Sequence, residues 1–168
     1  MTADGSPTTP ALEAIAAAGV PHRVVRTERA SSAEESARFQ GIETHQLLRT
    51  IVVRRGEGDY LFVLVPAGRR FDWPKLRDLL GVRRMTLPDA DEARANTGYE
   101  RYTITPFGST HPWPVVLDAA AAREPVVSIG GGGFGINLHL VPADLVAALD
   151  ARVADVSTPE TPHDHRHD

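Results

Sequence analysis

Two apolar, β-branched segments joined by a short glycine-containing linker constrain the fold of this chain most. Residues 47–54 (LLRTIVVR) and 60–66 (YLFVLVP) flank Gly56-Glu57-Gly58-Asp59, which is the pattern of a β-hairpin. Five later segments also fit the pattern of strands. These predicted strands are 82–87, 101–108, 114–118, 125–129 and 136–140. So many strands in one chain favour a β-sheet at the centre of the fold.

Capping residues predict helices among these strands. Thr9 is placed as an N-cap with Pro10 at the first helical position, and Gly19 follows the end of that helix. A second helix opens at overlapping capping boxes within 31–35 and stops at Gly41. Further helices are predicted at 73–80, at 88–97 and from residue 142 onwards.

Together these elements predict an α/β fold, built as a mixed β-sheet or partly closed barrel with surrounding helices. The length of 168 residues fits one domain, which we place at residues 11–156. Residues 1–10 and 157–168 are polar and rich in Pro, Ser, Thr and Asp, a composition that predicts disordered tails. Nothing resembles a zipper or a large repeated apolar face, so a monomer is expected.

Composition excludes several classes of function. Cysteine is absent, so the chain has no disulfide framework, no zinc–cysteine site and no thiol nucleophile. No apolar run approaches the roughly 20 residues of a membrane-spanning helix. The N-terminus lacks the basic and apolar pattern of a signal peptide. We therefore expect no membrane partner and a cytoplasmic location.

The charge distribution allows an anionic partner without requiring one. Net charge is −4, which by itself argues against nucleic-acid binding. However, residues 22–84 carry more Arg and Lys than Asp and Glu, and residues 85–156 carry the reverse. This polarity fits either an anionic partner on one face or a solvated surface with chance asymmetry.

The glycine-rich segment GGGGFG at 130–135 matches G-x-G-x-x-G formally, through Gly130, Gly132 and Gly135. A dinucleotide site would need this loop to open a helix, whereas residues 136–140 follow as a strand. The remaining interpretations are a flexible hairpin turn or a loop whose bare backbone approaches a ligand. Four consecutive glycines exceed what a turn needs, which favours a loop whose backbone approaches a ligand.

A second candidate loop is Thr105-Pro106-Phe107-Gly108. Proline fixes φ and glycine permits unusual backbone angles, so the amides of this segment could be aimed at a substrate carbonyl. The alternative is a rigid turn with no further role.

Nucleophilic and metal chemistry is disfavoured. There is no G-x-S-x-G elbow. Ser109, His111 and Asp118 could be combined into a catalytic triad, but so could many other triples in any sequence. The histidines lack metal-ligand spacing, so no metal and no cofactor are expected. Those at 163, 165 and 167 could chelate a metal only adventitiously.

Arg49 is the most informative charged residue. It lies inside the apolar run 47–53 and, by strand alternation, shares a face with Leu47, Ile51 and Val53. A charge in so hydrophobic a run is costly unless it meets an anion or a cavity. The alternative is that the strand starts at Thr50 and that Arg49 lies at its solvated end.

In this order, the motifs resemble the YbaK/ProX family from about Ala11 to Leu149. Arg49-Thr50-Ile51-Val52-Val53 stands in place of the family's Lys-Thr-Leu-Val strand. The other matching segments are 31–41, 65–68, 96–98, 105–108, 115–118, 128–131 and 140–145.

The resemblance implies the fold of the editing domain of prolyl-tRNA synthetases and hydrolysis of wrongly charged tRNA, for instance cysteinyl- or alanyl-tRNA(Pro). It implies aminoacyl-tRNA as the partner, an aminoacyl-tRNA synthetase as a further partner, and no required metal. Backbone amides and a lysine orient the ester, while the terminal ribose or the substrate's own group assists. Carried over to this sequence, the catalytic positions are Arg49, Gly130 and Gly131. The substrate-binding positions are Thr50, Gly98, Thr105, Pro106, Phe107, Gly108, Asp118 and Ser128.

Two departures from the family pattern bear on activity. Arg49 replaces the family lysine, and the two side chains are not equivalent in a tightly shaped site. The glycine excess at 130–133 would reshape the amino-acid pocket. Two functions therefore remain open: a deacylase that acts in trans on mischarged tRNA, and a non-catalytic relative that binds tRNA ends or nucleotides.

Overall fold

The computed structural model of the chain describes residues 7–160. The helices there are α1 Pro10–Ala17, α2 Ala33–Gln40, α3 Trp73–Leu80, α4 Ala90–Thr97, α5 Ala119–Ala122 and α6 Pro142–Leu149, with a 3-10 helix at Thr44–Gln46. The strands are β1 Arg23–Arg26, β2 Leu48–Gly56, β3 Asp59–Pro66, β4 Arg69–Phe71, β5 Val115–Asp118, β6 Val127–Gly130, β7 Ile136–Leu140, β8 Arg152–Ala154 and β9 Ser157–Pro159.

Side-chain caps fix the starts of α1, α2 and α3 as predicted. The side-chain oxygens of Thr9, Ser32 and Asp72 each accept a hydrogen bond from the backbone N–H three residues further on. Of the two overlapping capping boxes, the one at Ser32 and Glu35 therefore sets the start of α2. Gly41 ends this helix in the left-handed conformation.

Three sheets form the β-structure of residues 7–160. The first has the order β1-β7-β6, the second β2-β3-β5-β8, and the third pairs β4 with β9. The second sheet is mixed, because β2 and β3 are antiparallel whereas β5 lies parallel to both β3 and β8. The predicted mixed α/β fold is confirmed, and within these residues the sheets do not close into a barrel.

The core lies on both faces of β3. Tyr60, Phe62 and Leu64 pack into one apolar cluster, with β6, β7 and α1. The alternate residues, Leu61 and Val63 among them, pack into a second cluster with α3. A strand buried on both faces reads as a nearly continuous apolar run, which is why the hairpin was visible in the sequence.

Two predicted strands are wrong. Segment 82–87 contributes only an isolated bridge between Thr86 and Arg54. Segment 101–108 forms turns, because Tyr102 has a positive φ of 72° and the N–H of Thr103 bonds back to the carbonyl of Glu100. A left-handed residue interrupts an extended strand.

The folded part extends slightly beyond the predicted domain limits. Pro10 already belongs to α1, and Ser157–Pro159 form β9, although residues 157–168 were predicted to be a disordered tail. Buried Ser157 pairs with Phe71 of β4, a contact with a distant segment that composition does not reveal. The tails predicted at 1–6 and 161–168 lie outside the described residues. Within 7–160, no helix has the length and apolar character needed to span a bilayer.

Candidate functional site

A cleft of about 670 Å³ lies between the start of α2, the tip of the β6–β7 hairpin and the loop that carries Tyr102. Ser31, Ser32 and Ser36 line one wall. The opposite wall includes Gly130, Gly133, Phe134 and Asn137, and Arg29, Tyr102 and Thr103 also line the cleft, together with the apolar side chains of Ala30, Ala33 and Ile136. The cleft therefore combines polar and apolar surface, with two aromatic side chains among its lining residues.

A buried hydrogen-bond cluster fastens α2 to strands β6 and β7. The Oε1 atom of Gln40 accepts a hydrogen bond from the Ser128 hydroxyl at 2.5 Å and lies 2.8 Å from Nε2 of His139. Because Oε1 is only an acceptor, Nε2 of His139 carries the proton. Burial, helped by the positive charge of Arg23, lowers the pKa of His139 below its usual 6.5. Ser128 is thus fully buried and does not line the cleft.

Gly130 and Gly131 have different environments although they are neighbours. The Gly131 N–H donates to the carbonyl of Ile136 at 2.8 Å, and the Gly131 carbonyl accepts from the Thr9 hydroxyl at 2.5 Å. Because hydrogen-bonded and non-hydrogen-bonded pairs alternate in an antiparallel ladder, the N–H and carbonyl of Gly130 point away from β7. Gly130 lines the cleft, whereas the polar backbone atoms of Gly131 are used within the protein.

Close packing explains the lack of a side chain at Gly131. A Cβ atom there would lie 2.6 Å from Cγ2 of Ile136. At Gly130 the nearest neighbour, the carbonyl oxygen of Ile104, would lie at an ordinary 3.7 Å. Part of the glycine run therefore serves the hairpin's own packing.

Arg49 lies beside Gly130 in the strand arrangement. An isolated parallel bridge joins Leu47 to Ser128. Arg49 lies two residues after Leu47, and Gly130 lies two residues after Ser128. By strand alternation they therefore fall on the same face of two neighbouring segments. The Arg49 side chain is exposed, and its Nη2 donates to the carbonyl oxygen of Arg69 at 2.6 Å. The guanidinium is accordingly solvated and held by a main-chain carbonyl, although the residue lies within β2.

Thr50 points to the opposite face of β2, towards the core that contains Leu48 and Val52. Its Oγ1 is buried without a hydrogen-bond partner among the described residues, and the same holds for Thr105.

The turn at 105–108 packs against α1. Thr105, Pro106 and Phe107 are buried, and the Phe107 carbonyl accepts a 2.6 Å hydrogen bond from the Tyr99 hydroxyl. Burial raises the pKa of Tyr99 to about 12. Gly108 touches the backbone of Pro10 so closely that a Cβ atom would overlap it. None of these residues lines the large cleft.

Gly98 lies in a smaller cleft of about 270 Å³ that adjoins the first one. The two clefts share Thr103, Gly133 and Phe134 as lining residues. Gly98 and Gly130 therefore line adjoining clefts that meet at the hairpin tip.

Asp118 is a structural carboxylate in this fold. It is 1% exposed and accepts hydrogen bonds from the N–H groups of Ala120 and Val156. Ser109, His111 and Asp118 do not form a catalytic triad, since the Ser109 hydroxyl has no partner among the described residues and His111 stacks on Trp113. Within 7–160, no group of three or more His, Cys, Asp or Glu side chains is placed to hold a metal ion.

Sequence reasoning missed several cleft residues, namely Arg29, Ser36, Tyr102, Phe134 and Asn137. Only Phe134 carried a usable signal, because an aromatic side chain inside a glycine run has few neighbours to bury it. The others come from separate segments that only the fold brings together.

The protein is a mixed α/β domain whose cleft lies beside a glycine-rich hairpin. A family model described as an aminoacyl-tRNA editing domain matches residues 27–148. The chain belongs to this family, and its resemblance to YbaK/ProX proteins is confirmed.

Two kinds of relative support this assignment. A protein of Enterococcus faecalis named "Putative Cys-tRNA(Pro)/Cys-tRNA(Cys) deacylase EbsC" is 24% identical over 77% of this chain and 79% of its own length. The crystal structure of "a putative trans-editing enzyme for prolyl tRNA synthetase" is 28% identical, with a TM-score of 0.82 over 93% of this chain and all of that one. The hypothetical protein APE2540 is 27% identical, with a TM-score of 0.81 over 89% of this chain and 99% of its own.

Proposed function

We propose that this chain is a trans-editing hydrolase that deacylates mischarged aminoacyl-tRNA, cysteinyl- or alanyl-tRNA(Pro) being examples of its substrates. The observation that carries the proposal is the cleft in which Gly130 directs its polar backbone atoms away from β7, with Arg49 on the same face. Membership of the editing-domain family and the names of the similar proteins support it. In this proposal the reaction takes place in the cytoplasm.

The reaction is hydrolysis of the ester that joins the amino acid to the terminal ribose. Water adds to the carbonyl carbon, the bond to the ribose oxygen breaks, and that oxygen takes up a proton. The products are the free amino acid and uncharged tRNA. Negative charge develops on the carbonyl oxygen in the transition state, so donors fixed near it accelerate the reaction.

In this proposal Gly130 and Arg49 supply those donors. The Gly130 N–H lies on a rigid strand, and the exposed Arg49 side chain leaves the Arg69 carbonyl to meet the ester or a nearby ribose oxygen. Positioning the ester beside water provides the remaining rate acceleration. Gly98 contacts substrate from the smaller cleft. Gly131, Thr50, the turn 105–108, Ser128 and Asp118 act by holding the walls of the site.

A second candidate function is binding of tRNA ends without catalysis. The specific observation that favours it is the hydrogen bond of Arg49 to the Arg69 carbonyl, which occupies the guanidinium outside the cleft. Both functions have the same ligand, the tRNA end, but only the deacylase hydrolyses its ester.

Single-turnover deacylation separates the two functions. A panel of mischarged tRNAs, including cysteinyl- and alanyl-tRNA(Pro), is incubated with the full chain, and prolyl-tRNA(Pro) serves as the correctly charged control. We expect at least one mischarged ester to be hydrolysed well above its spontaneous rate, with no effect of EDTA. If every ester decays at its spontaneous rate while the tRNA still binds, the chain is a binding protein.

A further inference from the structure

Two aromatic side chains remain exposed where they line the large cleft. Phe134 is 43% exposed and Tyr102 is 77% exposed. Single exposed apolar residues are common on protein surfaces. These two, however, come from different segments and line the same cleft.

Each ring is paired with an arginine. The Cζ atom of Arg29 lies 3.9 Å from the centre of the Phe134 ring, and that of Arg101 lies 4.9 Å from the centre of the Tyr102 ring. Within residues 7–160, neither guanidinium has a carboxylate oxygen within 4 Å. The positive charge of both pairs therefore remains available to an anionic ligand.

The backbone presents both rings in defined positions. Tyr102 has a φ of 72°, a costly conformation for a residue with a side chain, and the adjacent Thr103 N–H closes the turn on Glu100. Phe134 precedes Gly135, whose carbonyl accepts a 2.8 Å hydrogen bond from the Thr27 N–H. That bond fastens the hairpin tip to the segment that follows β1.

We infer that Phe134 and Tyr102 form a stacking platform for the unpaired bases at the 3′ end of the tRNA. Flat aromatic rings backed by guanidinium groups provide what single-stranded RNA needs, namely faces for the bases and positive charge for the phosphates. The inference rests on the proposed function, because it places these bases beside the cleft that receives the ester. Base stacking tolerates any sequence, so the platform binds the end of the RNA without recognising its sequence.

Binding of an uncharged RNA tests the platform without requiring catalysis. The probe is a hairpin RNA with a single-stranded CCA end in which 2-aminopurine replaces the terminal adenine, so that stacking quenches its fluorescence. The full chain is compared with Phe134→Ala, Tyr102→Gly and the double variant. Tyr102→Gly also relieves the left-handed strain, so its Tm should be unchanged or higher. Phe134→Tyr and Tyr102→Phe retain the rings, and Leu87→Ala removes an apolar side chain that is 57% exposed outside the cleft.

We expect wild type and the ring-retaining variants to quench the probe, and Leu87→Ala to match wild type. Each ring deletion should weaken binding by roughly five- to a hundredfold, the cost of losing one stacked base. Wild-type affinity and quenching in the double variant would overturn the platform, even if the chain deacylates tRNA. Conversely, quenching that depends on the rings in a chain that hydrolyses no ester would support the platform and leave only the binding function.

Discussion

Arg49 shows how one side chain decides between two functions. Its backbone lies near Gly130, since an isolated bridge joins Leu47 to Ser128 two residues earlier, but its guanidinium bonds to a carbonyl outside the cleft. An exposed arginine exchanges such a bond for another at little cost, because water competes for both. The residue is therefore well placed to contact substrate without contributing much to folding.

Arg49→Ala should lower kcat/KM for the best mischarged substrate by roughly ten- to a hundredfold, since hydrogen bonds to charged groups contribute about 1.5–3 kcal/mol. Its unfolding free energy should change by less than about 1 kcal/mol. Arg83→Ala, which removes an equally exposed charge away from the cleft, is the control for unspecific loss of attraction to RNA. Wild-type single-turnover rates in Arg49→Ala would show that Arg49 is only a solvated strand residue.

Arg49→Lys tests whether arginine at this position only takes over the role of the family's lysine. If arginine only fills the role of the family lysine, the substitution retains or raises activity. If the site has adapted to the planar guanidinium, lysine loses activity as alanine does. The ratio of the two kcat/KM values gives the answer.

His139 should make stability depend on pH. Burial keeps its folded pKa below the usual 6.5, so below about pH 6.5 the unfolded chain binds the proton first. The unfolding free energy should therefore fall as the pH drops from 7.5 towards 5, and urea titrations measure this. His139→Gln should reduce the slope of unfolding free energy against pH. An unchanged slope in His139→Gln would show that this proton is bound equally in both states.

At the scale of elements, the turn at 105–108 and helix α1 depend on each other. Gly108 has a φ of 72°, and its missing Cβ leaves room for the backbone of Pro10. Gly58, in the β2–β3 hairpin, has a similar φ of 67° but open space where a Cβ would be. The two glycines therefore separate backbone strain from packing.

Gly58→Ala should cost about 1–2 kcal/mol of unfolding free energy, the penalty of a left-handed residue with a side chain. Gly108→Ala should cost clearly more, because it adds a clash with the start of α1. Chemical denaturation of both variants measures the difference. Equal losses would mean that α1 shifts without cost and that the turn is not held by it.

At the scale of the whole molecule, Asp118 joins three parts of the fold. It is the last residue of β5, caps α5 and accepts a hydrogen bond from the N–H of Val156 between β8 and β9, with Nε of Arg69 in β4 3.7 Å from its carboxylate. Asp155, by contrast, forms an exposed pair with Lys75. The pKa of Asp155 is lowered mainly by its hydrogen bond to Lys75.

Asp118→Asn should destabilise the protein by roughly 2–4 kcal/mol, because it removes a buried charge and points an amide N–H at a backbone donor. Asp155→Asn should cost less than about 1 kcal/mol, as exposed ion pairs do. Thermal or urea unfolding compares them. If Asp118→Asn loses deacylation per folded molecule without losing stability, Asp118 contacts substrate after all.

The sequence by itself determined the features whose causes are local. Helix caps at Thr9, Ser32 and Asp72 act over three residues, and the β2–β3 hairpin follows from two apolar runs around one turn. The ordered motifs also identified the family, which the match over residues 27–148 confirmed.

Only the tertiary structure decided how the cleft is lined and which polar residues are structural. Ser128 meets Gln40 across 88 residues of chain, and Arg29, Tyr102 and Phe134 reach one cleft from three segments. The strand predicted at 101–108 does not form, because the positive φ of Tyr102 and the hydrogen bond from the Thr103 N–H to the Glu100 carbonyl turn the chain there. Contacts between distant segments depend on the packing of the whole chain, and no local pattern encodes them.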